Sequence, residues 1–232
     1  MYRLIMEKLK SFTQLDLRLR NPFTMLVCGP SSCGKTTFVQ NLLRNRGSLY
    51  DKKPGKVFWC YKIWQKSYDI MSKFGIVDHF SHGIPTMEWI QEQIGDFNLR
   101  NCTIVIDDMA LEATEDTAKI FTVGSHHFNV NVIIIAQNIF TKNKFFREIS
   151  LNTSYHVIFK NPRDNSSIGT LAQQFAPNNV KTIKAIFKKA TTKPHSYLLL
   201  DYRQETDEKH RMRGNIMCEA GNPVSIYVLN NM

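Results

Sequence analysis

The sequence predicts an α/β domain with a mostly parallel central sheet and helices on both faces. Three short apolar segments support this prediction, because each has the length of a buried strand and is followed directly by residues suited to chemistry. They are residues 23–28 before Gly29, residues 103–106 before Asp107, and residues 132–136 before Gln137. Ligands in parallel sheets bind at the carboxyl ends of the strands, so this is where a site is expected.

The rest of the chain continues the alternation of strands and helices. Residues 37–43 have helical spacing, and Thr86 is a candidate N-cap for a helix that runs to residue 97. Further strands are predicted at 56–61, 155–160 and 197–201, and further helical segments at 109–128 and 180–189. The length of 232 residues suits one substantial core.

The composition indicates a globular protein with an anionic partner. The formal net charge is +10, and hydrophobic residues make up 43% of the chain, which excludes a disordered basic tail. Nucleic acid is the leading partner class, and an anionic membrane surface is the alternative. Apolar runs such as 132–136 are far too short to cross a bilayer, so no integral membrane segment is expected.

The N-terminus and the cysteines indicate a protein that is not secreted. Charged residues follow Met1 too closely for a secretory signal. The five cysteines include no Cys-x-x-Cys pair, so neither a disulfide framework nor a zinc site is indicated. A reducing compartment fits this pattern.

The segment between the first strand and the first helix is a complete P-loop, Gly29-Pro30-Ser31-Ser32-Cys33-Gly34-Lys35-Thr36. The glycines allow the backbone N–H groups to point at phosphate oxygens, and the helix start, including Thr37, adds unpaired donors. Lys35 is expected to reach the β- and γ-phosphates of ATP, and the Thr36 hydroxyl to bind Mg²⁺. Cys33 is expected to be an ordinary loop residue.

Two carboxylates follow the strand at 103–106. Asp107 is expected to hold Mg²⁺, directly or through water, because the metal needs hard oxygen ligands. Asp108 is the candidate base or orienter of the attacking water. Acidic residues also commonly begin the loop after a strand, and the P-loop upstream favours the functional interpretation.

Gln137 ends the strand at 132–136, where ligands bind in open α/β sheets. It is the candidate γ-phosphate sensor and water positioner. An amide at this position is alternatively a hydrogen-bonding residue at the strand end, and the order of the three motifs favours the sensor role.

Arg147 and Arg163 are candidate arginine fingers. A guanidinium supplied by a neighbouring subunit stabilises charge on the γ-phosphate, although arginines near strand ends are often solvated or paired. Two other basic groups are candidate DNA contacts: the helical lysine face of residues 181, 184 and 188, and the loop from residue 142 to residue 147.

The three motifs, in this order, resemble those of an additional-strand P-loop ATPase. Further segments narrow the resemblance to poxvirus-type DNA-packaging ATPases of the FtsK/HerA superfamily, with the Polinton (Maverick) and adintovirus-like branch most similar. These segments are residues 124–127, 137–138, 147–152, 159–164 and 197–201. The resemblance covers roughly residues 22 to 213.

The resemblance implies a RecA-like core, a homo-oligomeric ring of five or six subunits, and ATP-driven movement of double-stranded DNA into a preformed capsid. It implies viral capsid proteins as partners and a location inside the host cell at the virus assembly site, or in the virion, with nucleus and cytoplasm both open. It implies that Lys35 and Thr36 bind nucleotide and metal. It also implies that Asp107 and Asp108 form a Walker B motif and that Gln137 is the sensor.

The chain departs from the family pattern at two positions. Asp108 stands where many relatives carry glutamate, and it is one methylene shorter as a base. Val123 stands where viral relatives often carry a basic residue. With this resemblance, the chain divides into a basic N-terminal lead-in at 1–21, a P-loop ATPase domain at 22–202 and a charged C-terminal tail at 203–232.

Two other functions are compatible with a P-loop. One is a nucleoside or nucleotide phosphotransferase, which needs an acceptor pocket. The other is a non-enzymatic, nucleotide-dependent interaction module, against which an intact Lys35, Asp107 and Asp108 argue. A GTPase is disfavoured because the sequence has no Asn-Lys-x-Asp motif.

Overall fold

A computed structural model describes residues 15–95, 101–164, 166–218 and 223–229. Within these residues, nine strands form one sheet. The strands are β1 (Thr24–Cys28), β2 (Val57–Tyr61), β3 (His79–His82), β4 (Thr103–Asp107), β5 (Asn131–Ala136), β6 (Tyr155–Phe159), β7 (Tyr197–Asp201), β8 (Met212–Gly214) and β9 (Ser225–Tyr227). Their order across the sheet is β3-β2-β4-β5-β1-β6-β7-β8-β9. The pairings from β3 to β6 are parallel, and those from β6 to β9 are antiparallel.

The α-helices of the described residues lie between these strands. They are α1 (Lys35–Arg44), α2 (Arg46–Leu49), α3 (Lys66–Lys73), α4 (Met87–Gly95), α5 (Glu115–Lys119), α6 (Ser125–His127), α7 (Lys144–Leu151), α8 (Ser166–Phe175) and α9 (Val180–Ala190). None of the helices in the described part of the chain is long and apolar enough to span a membrane.

Two apolar clusters cover the two faces of the sheet, because successive side chains of a strand point to opposite faces. On one face, Phe38 and Leu42 of α1 and Met71 of α3 pack against alternate strand residues. On the other face, Phe146 of α7 and Ile183 of α9 pack against the intervening strand residues. The mostly parallel sheet with helices on both faces, predicted from the sequence, is confirmed.

Local signals explain where several helices begin. Thr86 Oγ1 accepts a hydrogen bond of 3.1 Å from the Trp89 amide, as expected of an N-cap, and α4 extends from Met87 to Gly95. Residues 96 and 97 of the predicted helix lie outside the described residues. The predicted helical segment at 109–128 is divided, because Thr114 forms a capping box with Thr117 and starts α5 at Glu115. A 3₁₀ turn precedes this helix, and a π-helical turn at Ile120–Gly124 follows it.

The sheet continues into the segment predicted as a C-terminal tail. Strand β8 pairs with β7, and β9 pairs with β8. Arg213 Nη2 donates a hydrogen bond of 2.5 Å to Asp201 Oδ2 on β7, and both side chains are buried. This buried ion pair fixes β8 against the sheet, and removing one partner leaves an uncompensated charge in the interior. Residues 212–214 and 225–227 therefore belong to the same sheet as the P-loop strand.

His156 on β6 makes stability depend on pH. Its Nδ1 shares a hydrogen bond of 3.0 Å with the Tyr202 hydroxyl, and burial lowers the pKa of this histidine from 6.5 to about 3. Below pH 6.5 the unfolded chain therefore binds a proton that the folded chain does not. The contribution of His156 to the free energy of unfolding is fully present above pH 6.5 and is lost as the pH falls toward 3. At pH 5 the loss is about 2 kcal/mol.

We expect His156→Gln to remove this part of the acid destabilisation. The free energy of unfolding in urea, measured at pH 8 and pH 5, should fall about 2 kcal/mol further in the wild type than in the variant. Equal falls in the two proteins would contradict a neutral buried imidazole at this position.

Candidate nucleotide-binding site

The P-loop connects β1 to α1, and both of its glycines are required by the backbone. A Cβ atom at Gly29 would lie 2.7 Å from the Cβ of Phe159, and Gly34 has a φ of 105°, which lies in the left-handed region. The amide of Phe38 donates to the Gly34 carbonyl, at 2.8 Å, and this bond starts α1 directly after the loop. The unpaired N–H groups of the first helical turn therefore face the loop.

The predicted loop residues differ in their exposure. Gly29 and Lys35 are buried, Pro30, Cys33, Gly34 and Thr36 are half-buried, and Ser31, Ser32 and Thr37 are exposed. Burial raises the pKa of the Cys33 thiol above its usual value, which keeps the thiol protonated and unreactive.

Lys35 extends over the loop that precedes it. Its Nζ donates hydrogen bonds of 2.7 Å to the Gly29 carbonyl and 2.9 Å to the Pro30 carbonyl. The ammonium group is therefore held at the concave side of the loop by two neutral acceptors. An anionic phosphate oxygen is a stronger partner for an ammonium group than a carbonyl is.

Asp107 is the last residue of β4, and its side chain is buried. The Tyr68 hydroxyl donates a hydrogen bond of 2.8 Å to Asp107 Oδ2. Burial raises the pKa of Asp107 to about 6, the Tyr68 hydrogen bond acts against this rise, and the nearby Asp108 carboxylate adds to it. The positive charge of Lys35 lowers the pKa of Asp107, so the two groups are electrostatically coupled.

Asp108 and Gln137 meet at the exposed edge of the sheet. Gln137 Nε2 lies 3.2 Å from one carboxylate oxygen of Asp108 and 3.3 Å from the other, so the amide donates to the carboxylate. Asp108 has a φ of 57°, a left-handed conformation that aspartate tolerates better than most residues. Asp107 is buried and Asp108 is exposed.

The sheet order brings these groups together. Strand β5, which precedes Gln137, lies between the P-loop strand β1 and the Asp107 strand β4, and all three strands are parallel. Their carboxyl ends therefore form one edge, with the loop, the amide and the carboxylates side by side. The inserted strand between the P-loop strand and the carboxylate strand is the additional-strand arrangement predicted from the sequence.

The comparisons with known proteins agree at the level of the fold. No protein-family model matches the sequence, and no curated protein is similar to it. The genome packaging NTPase B204 from Sulfolobus turreted icosahedral virus 2, solved with ATPγS, matches with a TM-score of 0.52 and 10% sequence identity, over 83% of this chain and 96% of that chain. The fold is that of a RecA-like P-loop NTPase.

Two further structures are similar at lower scores. A KaiC-like protein from Pyrococcus horikoshii gives a TM-score of 0.42 and 14% identity, over 89% of this chain and 90% of that chain. ATPases 2 and 3 of EssC from Geobacillus thermodenitrificans give 0.40 and 8%, over 58% of this chain and 31% of that chain. These likenesses are too distant to bear on function.

The residues of this RecA-like site suit Mg²⁺. Mg²⁺ takes oxygen ligands and in nucleotide sites needs only one or two carboxylates, because phosphates and water complete its shell. The Asp107 carboxylate and the Thr36 hydroxyl are such oxygen ligands, and Asp107 is coupled to the loop through Lys35. Among the described residues, no group of three or more histidine, cysteine or acidic side chains is arranged to hold a metal ion. The donor set therefore fits a metal that binds together with a polyphosphate.

No described contact joins the side chains of the two candidate arginines to this cluster. Arg147 lies on α7, and Arg163 lies in the turn after β6. Both residues are exposed, and neither side chain forms an ion pair or hydrogen bond with another described residue.

Tyr68 is a residue of the site that the sequence interpretation missed. It lies on α3, between β2 and β3, and its ring is buried among Trp59, Tyr61 and Phe80. These contacts fix the hydroxyl that holds Asp107. The spacing of Tyr68 and Met71, both buried on α3, is the sequence signal that could have identified this helix.

Replacement of Gln137 tests the role of the edge amide. On the predicted sensor role, Gln137→Ala is expected to lower kcat for ATP hydrolysis by about 10²-fold while KM stays unchanged, because an amide that positions the attacking water contributes to kcat and little to binding. Asn138→Ala, at the exposed neighbouring amide, is the matched control and should retain full activity. A rise in KM without a loss of kcat would contradict the positioning role. Steady-state phosphate release measures both constants.

Proposed function

We propose that this protein is an ATP-hydrolysing motor that moves double-stranded viral DNA into a preformed capsid. The observation that carries the proposal is the shared edge of β1, β5 and β4, which gathers a P-loop lysine, an amide and two carboxylates. The fold shared with a viral genome packaging NTPase supports the choice of DNA packaging. The family proposed is the poxvirus-type branch of the FtsK/HerA superfamily, nearest to Polinton and adintovirus-like elements.

The residues have distinct roles in the proposed reaction. The loop amides and Lys35 bind the phosphates, and Thr36 and Asp107 hold Mg²⁺, which neutralises charge on the terminal phosphates when bound. Asp108 accepts a proton from the attacking water, and Gln137, through its contact with that carboxylate, orients the water. Tyr68 keeps the Asp107 carboxylate in place.

The proposed active form is a ring of five or six copies. Arg147 and Arg163 are both exposed. One of them reaches the nucleotide of a neighbouring subunit and supplies a positive charge there. The described contacts of the site within one subunit include no arginine. Such a residue raises the rate by about 10³ to 10⁵. Hydrolysis is therefore expected to be slow in a monomer and fast in the ring.

Charge supports duplex DNA as the proposed substrate of movement. The chain carries a formal net charge of +10, and proteins that bind the DNA backbone use such an excess of lysine and arginine. On α9, Lys181, Lys184 and Lys188 are exposed while Ile183 is buried, so the helix presents a basic face to solvent. We propose capsid proteins as further partners, and a location at the virus assembly site in the host cell or in the virion.

Steady-state ATP hydrolysis with and without duplex DNA tests this proposal. The assay uses the wild type and Lys35→Ala at several protein concentrations, with the oligomeric state followed in parallel. We expect turnover that is stimulated by DNA, rises with ring formation and is absent in the variant. ADP release that depends on an added nucleoside instead would indicate a phosphotransferase. Nucleotide binding without any turnover would indicate a non-enzymatic interaction module.

A further inference from the structure

A large cavity lies beside the P-loop. Its volume is about 1060 Å³, which is at the upper end of the usual size of small-molecule sites. Its walls come from four parts of the chain: the loop and first turns of α1, the segment between α9 and β7, the segments around β8 and β9, and Gln65 before α3. No catalytic role has been assigned above to the second and third parts.

The sheet register explains why these segments meet at the P-loop. Strand β7 is antiparallel to β6, so it begins at the edge where β6 ends. Strand β8 ends at this same edge and β9 begins there, because Leu199 pairs with Arg213 and Gly214 pairs with Ser225. The edge that carries the P-loop therefore continues across β7, β8 and β9.

His195 joins the cavity wall to the loop. Its Nδ1 lies 3.1 Å from the Cys33 carbonyl, and a Cβ atom at Gly34 would lie 3.2 Å from the same nitrogen. His195 itself has a φ of 61°, so a left-handed turn presents its ring to the loop. The segment before β7 is thus in direct contact with the phosphate-binding backbone.

The polarity of the site determines which end of a nucleotide faces the cavity. Asp107 and Gln137 follow β4 and β5, which lie on one side of β1, whereas β6 to β9 lie on the other side. The γ-phosphate faces the carboxylates and the amide, so the opposite end of the molecule extends over β6 to β9. Most of the cavity wall comes from that side, and Thr37 and Asn41 of α1 also line it.

The cavity has the chemistry of a nucleotide site. Its lining includes the positively charged Lys35, Lys189 and Lys193 and contains no carboxylate. Tyr227 on β9 also lines it, half-buried, with its ring against Gly214: a Cβ atom added there would lie 3.4 Å from Tyr227 Cε2. Glycine at position 214 therefore leaves room for the Tyr227 ring at the wall of the cavity.

We infer that this cavity holds the nucleoside of the bound nucleoside triphosphate and that the Tyr227 ring stacks on its base. The inference rests on the proposed nucleotide-binding function and adds a binding role for β9. Stacking on an aromatic ring is available to every base, so the expected ligand class is nucleoside triphosphates, with ATP as the probe.

Calorimetric titration with ATP and with inorganic tripolyphosphate, both in Mg²⁺, tests the inference, because tripolyphosphate has no nucleoside. We expect Tyr227→Ala to weaken ATP binding by about tenfold and to leave tripolyphosphate binding unchanged, whereas Tyr227→Phe retains the ring and the ATP affinity. Val228→Ala, at the exposed neighbouring residue, is the matched control. Equal weakening of both ligands, or no change for either, would overturn the inference.

A second variant covers the case in which Tyr227→Ala does not fold. Ser225→Trp places a bulky ring in the cavity from a half-buried position on the same strand. It should block ATP while tripolyphosphate still binds; full ATP affinity in this variant would overturn the inference. Failure of the proposed function is distinguishable, since a wild type that binds neither ligand lacks the phosphate site itself, and Lys35→Ala should lose both.

Discussion

Replacement of Lys35 by alanine is expected to abolish ATP turnover, with a loss of at least about 10²-fold in kcat/KM. Lys35 is the buried cation of the loop, and its Nζ already donates to the Gly29 and Pro30 carbonyls, where the proposal places the phosphates. Without it, the charge that develops on the β- and γ-phosphates loses its nearest fixed partner in this chain. The measurement is steady-state phosphate release across a range of ATP concentrations.

The control for this result is Lys73→Ala, which removes an exposed lysine at the end of α3 and changes net charge equally. It should hydrolyse ATP as the wild type does. Lys35→Arg keeps the positive charge but changes the shape of the group. It should also lose activity, because the planar guanidinium does not replace a compact ammonium group in a confined loop. Substantial turnover by Lys35→Ala would show that the phosphates bind elsewhere.

Asp107→Asn is expected to abolish hydrolysis and at the same time to stabilise the fold above pH 6. The amide loses the charge that a divalent cation requires, so the Mg²⁺ dependence of nucleotide binding should disappear with the activity. The amide oxygen still accepts from the Tyr68 hydroxyl, so the buried hydrogen bond is retained.

The sign of the stability change follows from the pKa of Asp107. Burial raises this pKa from 3.8 to about 6 in the folded protein, so between these values the folded chain binds more protons than the unfolded chain. Stability from this group is complete below pH 3.8 and is lost as the pH rises through 6. The loss amounts to about 3 kcal/mol and is absent in Asp107→Asn.

Urea unfolding in EDTA gives the free energy of unfolding at pH 4 and at pH 8. The change between the two pH values is then compared between Asp107→Asn and the wild type. The difference also removes the contribution of His156, which has the opposite pH dependence. Asp116→Asn, at an exposed carboxylate in the first turn of α5, is the control and should follow the wild type. A variant that loses stability at pH 8 would show that the Asp107 charge is compensated in the fold.

The core of the fold and the grouping of the P-loop, Asp107 and Gln137 at one edge of the sheet could be predicted from the sequence. A buried parallel strand appears as an apolar run, and Gly29, Asp107 and Gln137 follow such runs directly. The inserted position of β5 came from the resemblance and the order of motifs, since the sequence does not determine which strands pair.

The nucleoside side of the site could not be predicted, because it depends on contacts between distant segments. Tyr227 and His195 reach the cavity beside the P-loop only through the antiparallel pairing of β7, β8 and β9. Strands of three residues such as β8 and β9 are too short to give a periodic signal. The role of Tyr68 was missed for a similar reason, because its hydrogen bond to Asp107 spans 39 residues and leaves no local pattern in the sequence.

Displacement of a triplex-forming strand from duplex DNA tests whether this protein moves along DNA, because a protein that translocates removes the third strand in its path. The substrate carries the triplex at one end, and the protein is loaded on the duplex at the other. We predict displacement by the wild type with ATP and Mg²⁺, and none with Lys35→Ala or with a non-hydrolysable analogue. DNA-stimulated hydrolysis that leaves the triplex intact would contradict a motor that moves DNA.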